Sequence, residues 1–164
     1  MPHLSSLIVC EKIILDQLGK PTLIALFQKL SATVPDGQEM PKEAVAATGW
    51  AIFSEWFFTE DELSKTVDQV SEVLLPDGSP SPIKGRVTLK ELSPLGQGTR
   101  VFVNIVGIPV SQTGVLTINV WLECNSERIS DVFSYPIQIE HTNKPPEPND
   151  GGSFVHAFAP GPKA

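Results

Sequence analysis

An all-β fold, a two-layer antiparallel sandwich of about eight strands with a flexible C-terminal tail, is what this sequence predicts, and three observations predict it. Between Gly114 and Cys124 the residues Leu116, Ile118, Val120, Leu122 and Cys124 fall on every second position, with Thr117, Asn119, Trp121 and Glu123 between them. That is the period of a half-buried strand. Extended apolar runs at 101–106 and 132–139 lie on either side of it, and strands with one face to hide require a second layer. Breaker clusters, Pro35-Asp36-Gly37 and Pro76-Asp77-Gly78, separate the apolar runs as turns would.

Taken in order, residues 4–15 and 22–32 are apolar runs parted by Asp16, Gly19, Lys20 and Pro21. This is a hairpin signal, with glycine free to take positive φ and proline allowed only at the start of a ladder. The unbroken run Leu23 to Phe27 predicts a central strand covered on both faces. Pro41 followed by Lys42 to Ala47 suits either one or two helical turns or an irregular connection.

Residues 50–58 are the most aromatic stretch. Trp50, Ile52, Trp56 and Phe58 are placed on one side, and Ala51, Phe53, Glu55 and Phe57 on the other. One sheet face can pack on the core, so the other needs cover from a loop, the tail or another chain, unless both faces are buried within one subunit. Thr59 and Glu62 have the spacing of a capping box. Residues 59–75 fit helical spacing through Leu63, Val67, Val70 and Leu74, and fit a strand through Val67, Gln69, Ser71, Val73 and Leu75; the pattern alone slightly favours the helix, and the β context on both sides favours the strand. Arg86, Thr88 and Lys90 alternate with Val87 and Leu89 as a half-exposed strand, and Pro136 belongs at an edge or a bulge.

The chain of 164 residues with net charge −7 has the size of one domain, assigned to residues 1–142. Residues 143–164, with Pro145, Pro146, Pro148, Gly151, Gly152, Pro160, Gly161 and Pro162, predict a disordered tail. Inside it Phe154, Val155, Ala157 and Phe158 form an apolar island, an expected docking element for a partner or for the outer side of the tryptophan strand. The acidic balance counts against nucleic acid and against an anionic membrane surface. The run Leu7 to Cys10 is too short for a signal peptide or a spanning helix, so a soluble cytoplasmic protein is expected. Cys10 and Cys124, far apart and without CxxC spacing, read as free thiols, with a bridge between sheets as the alternative.

Catalytic and cofactor signatures are missing. His3, His141 and His156 have no metal-ligand spacing, and no DxDxDG loop, GxSxG elbow, Walker loop or HExxH occurs. Gly96-Gln97-Gly98 is a GxG only, read as a loop. Trp50, Trp56 and Trp121 offer aromatic faces for a sugar, and Glu55 with Asp68 is the one dispersed acid pair considered.

The landmarks LSSLIVCEKIILDQLGKPTLIALFQKLSA, WAIFSEWFF, LLPDGS and VFVNIVGIPVSQTGVLTINVWLEC, in that order, resemble a bacterial family of small β-sandwich proteins of unknown function over about residues 4–140. The resemblance implies a strand at 65–75 and no functional residues. The expected function is a non-enzymatic protein-interaction or assembly module without cofactors, engaging a protein partner or itself through Trp50, Trp56, Phe58, Phe154 and Phe158. The alternative is a sandwich that binds a small ligand or carbohydrate with its tryptophans.

Overall fold

The computed structural model describes residues 1–34, 36–93, 97–143 and 153–155. The expectations for Gly96, for Phe158 and for most of the tail lie outside these residues. Among the described residues eleven strands run in order: β1 (His3–Leu15), β2 (Pro21–Leu26), β3 (Lys29–Thr33), β4 (Val45–Phe57), β5 (Val67–Leu74), β6 (Pro80–Leu89), β7 (Thr99–Pro109), β8 (Gly114–Cys124), β9 (Glu127–Arg128), β10 (Phe133–Thr142) and β11 (Ser153–Val155). One turn of 3-10 helix, Glu60–Glu62, joins β4 to β5. There the Thr59 amide donates to Glu62 Oε2 at 2.9 Å, the back-reaching half of the capping box. The stretch 41–44 is irregular rather than helical.

Two sheets pack face to face. The smaller has the order β2-β1-β4-β7; the larger has β11-β3-β10-β8-β5-β6, with β9 added to the end of β8. Pairing is antiparallel except around β3, which runs parallel to both β10 and β11. The antiparallel expectation is corrected there: residues 22–32 are not one strand but two. Leu26 ends β2 in the small sheet, buried Phe27 crosses over, and Lys29 begins β3 in the large sheet.

The alternation read in β8 is realised. Leu116, Ile118, Val120 and Leu122 are buried while Thr117, Asn119, Trp121 and Glu123 are half-buried. Segment 67–74 is the strand β5, with Val67, Gln69, Ser71 and Val73 turned inward. Pro136 stands opposite Thr117 of β8, before β10 begins to pair with β3 at Gln138. It occupies a stretch with one free side, which accommodates a residue that cannot donate.

The core gathers under β4. Trp50, Ile52, Trp56 and Phe58 join Val9, Leu30, Leu116, Ile118, Leu122, Ile137 and Ile139 in one buried cluster. Buried Gln69 of β5 ties the two sheets together there: its Oε1 accepts from Ser54 Oγ at 2.6 Å and from Trp56 Nε1 at 2.7 Å. Trp50 Nε1 donates to the Gly107 carbonyl at 2.9 Å. Gly107 holds φ at 87°, and a Cβ there would stand 2.7 Å from Val45 Cγ1, so the position requires glycine.

Candidate functional site

Beyond Cys10 the first hairpin leaves the sandwich. The pairing of β1 with β4 ends at Cys10–Ala51, whereas β1 and β2 continue together through Lys12–Ile24, Ile13–Leu23, Ile14–Thr22 and Leu15–Pro21. Residues 11–26 therefore form a two-stranded arm whose strands, among the described residues, pair only with each other. Its turn is well built. Asp16 Oδ1 accepts from the amides of Leu18 and Lys20, both at 2.8 Å, and Gly19 takes φ 72°. At its base Ala25 adopts φ 52°, a left-handed conformation that costs a non-glycine residue about 1 kcal/mol.

The arm is apolar on both faces, with Ile13, Pro21 and Leu23 half-buried and five large side chains exposed. Ile14, Leu15, Leu18, Ile24 and Leu26 are 43%, 50%, 80%, 39% and 52% exposed. The pairs Lys12–Ile24 and Ile14–Thr22 lie on one face; Ile13–Leu23 and Leu15–Pro21 lie on the other. This overturns the expectation of a central, doubly covered strand at Leu23 to Phe27: β2 is the outermost strand of its sheet. An unbroken apolar run has the same pattern whether both faces are buried or both are bare. The composition of the hairpin, with Ile13, Ile14, Leu15 and Leu18 facing Leu23, Ile24 and Leu26 across one turn, is the signal that could have identified it.

The residues expected to carry an interaction are distributed otherwise. Trp50, Trp56 and Phe58 are buried in the core. On the outer side of β4, Phe53 is sheltered by its own sheet: Ile8 and Phe102 are its cross-strand partners, and the Phe102 ring lies 5.6 Å away, tilted by 37°. Phe154 pairs through its backbone with Ser31, so part of the apolar island extends the large sheet as β11. Phe158 lies outside the described residues.

Trp121 is separate from the other two indoles, on the outer face of the large sheet. Arg128 stands over its ring at 5.2 Å, and its Nε1 donates to Glu123 Oε1 at 2.8 Å. Arg86 joins Glu123 to Asp68 in the same exposed network, and the Thr88 hydroxyl donates to Asp68 at 2.7 Å. The Thr88 hydroxyl and then the Arg86 guanidinium hold the Asp68 carboxyl below its ordinary value. Glu55, on the other sheet, pairs with Arg100 at 2.9 Å, so the two acids have separate cationic partners.

A cleft of about 550 Å³ opens beside β6 and β7, lined by Lys42, Val45, Leu75, Ile83, Val106 and Pro109 among others. Cys10 and Cys124 are free thiols. Burial pushes the Cys10 thiol up, against the pull of backbone hydrogen bonds. Among the described residues no three His, Cys, Asp or Glu side chains are grouped so as to hold a metal, and no helix is long and apolar enough to cross a membrane. No protein-family model matches this chain, and no curated protein matches it.

Proposed function

We propose that this protein is a non-enzymatic protein-interaction or assembly module of the cytoplasm whose binding element is the β1–β2 arm. One observation carries the reading: beyond the last pairing with β4 the arm gathers exposed Ile14, Leu15, Leu18, Ile24 and Leu26 in one hairpin. A two-stranded ribbon is marginal by itself in water, and apolar surface gathered in one place marks contact sites on soluble proteins. Two unbridged thiols accord with a reducing compartment. The resemblance to bacterial sandwich proteins accords with such a module without naming its role.

Photo-cross-linking in the native host tests the reading. A benzophenone side chain placed at Leu18 or Ile24 should form covalent adducts with protein, whereas one placed at Lys90, exposed at the end of β6, should not. If no arm position yields a protein adduct, the arm is not an interaction element and the reading is abandoned.

A further inference from the structure

We infer that the arm's partner is a second copy of this chain, joined through β2 in an antiparallel, two-fold pairing that runs the two small sheets into one. The inference rests on the arm being an interaction element and names what it binds.

The sheet edges are built differently. On β6 the edge carries Pro80, Pro82, Lys84 and Arg86, charges and prolines of the kind that protect an edge against further pairing. On β7 Arg100 and Pro109 stand only near the two ends of the strand, and β11, Ser-Phe-Val, is an uncharged edge of three residues. Strand β2, Pro-Thr-Leu-Ile-Ala-Leu, has no charge, its single proline stands at the start, where a ladder tolerates it, and it is the edge that lies on the apolar arm. Among the described residues no strand pairs with its outer side. Two identical edges meeting antiparallel about a two-fold axis make a closed contact, the commonest oligomeric symmetry.

Charge supports a copy over a charged partner. Residues 11–26 contain Glu11 and Asp16 against Lys12 and Lys20, so the arm is neutral and the whole excess of −7 lies elsewhere on the chain. Two such molecules repel least when they meet arm to arm, and a neutral apolar arm offers nothing to a polyanion. Area supports an interaction at this end of the molecule. The five exposed side chains leave on the order of 500 Å² of apolar surface on each arm, at the upper range for a patch on a monomer, and pairing along β2 withdraws from water the part of it nearest the new seam, at Ile24 and Leu26.

Sedimentation equilibrium of the full chain, from ~1 to ~100 µM, tests the inference. The wild type should sediment at twice its 17.8 kDa at the upper concentrations. Ile24→Lys sets two ammonium groups against each other near the axis and should raise Kd about 100-fold or more. Tryptophan emission and circular dichroism report that the variant is folded. Independently, a short bis-maleimide should join Ile24→Cys into a covalent dimer and leave Lys90→Cys monomeric. A wild type monomeric across the whole range, a folded Ile24→Lys that dimerises as before, or Ile24→Cys that does not cross-link to itself would each overturn the inference. Photo-adducts from Ile24 with a different protein, beside a monomeric wild type, would overturn self-pairing and leave the interaction role standing.

Discussion

The aromatic strand β4 and the β1–β2 arm are equally greasy in sequence and opposite in fate. In β4, Trp50, Ile52, Phe53 and Trp56 are all buried. One face meets the large sheet, and Phe53 on the other side is sheltered by Ile8 and Phe102 on the two strands that flank it. In the arm, Ile14, Leu15, Ile24 and Leu26 lie at or beyond the end of the pairing with β4, have a neighbouring strand on one side only among the described residues, and remain exposed, while Ile13 and Leu23 beside them are half-buried. Position in the sheet order decides between these outcomes, because a central strand has its outer face covered from both flanks while a projecting ribbon does not.

The comparison can be broken by substitution, since loss of side chains should be costly in β4 and cheap in the arm. Trp56→Ala should cost the most, about 3–5 kcal/mol, read as a lowered urea midpoint, because a fully buried indole leaves a large cavity. Gln69→Leu should cost about 2 kcal/mol, since it strands the buried donors Ser54 Oγ and Trp56 Nε1. Gly107→Ala comes next, at about 1–2 kcal/mol by the same measurement, for the left-handed φ and the close approach of Val45. In the arm, Asp16→Ala removes the side chain that two turn amides bond to. It should cost about 1 kcal/mol or less, seen chiefly as faster amide exchange at residues 12–24. Smallest of all, Ile24→Lys should change the stability of the monomer by less than about 0.5 kcal/mol, the range for exposed positions. An Ile24→Lys loss as large as that of Trp56→Ala, measured in the monomer, would show that the arm is packed against its own domain.

Much of the fold was legible because its signals are local. The alternation of β8 follows from period two alone, the inward Val67, Gln69, Ser71 and Val73 of β5 follow from period two once the β context on both sides decides against a helix, and Pro21 sits where a ladder admits a proline. What was not legible depends on partners distant in sequence. Phe53 needs Phe102 from β7, and Gln69 needs Trp56 from the other sheet, before either makes sense in a buried setting. The parallel seating of β3 against β10 follows from the crossover at Phe27, which no periodicity announces. For the same reason the sequence points to Trp50, Trp56 and Phe58, whose side chains the core takes up, rather than to Ile14, Leu18 and Leu26, whose side chains it does not.

Carbene footprinting of the full chain, wild type beside Ile24→Lys, reads the contrast most directly. The account predicts heavy labelling of residues 21–26 in Ile24→Lys, protection of the same residues in the wild type, and a silent 50–56 segment in both. Labelling of 50–56 equal to that of the arm, or an arm already protected in a folded, monomeric Ile24→Lys, would contradict it.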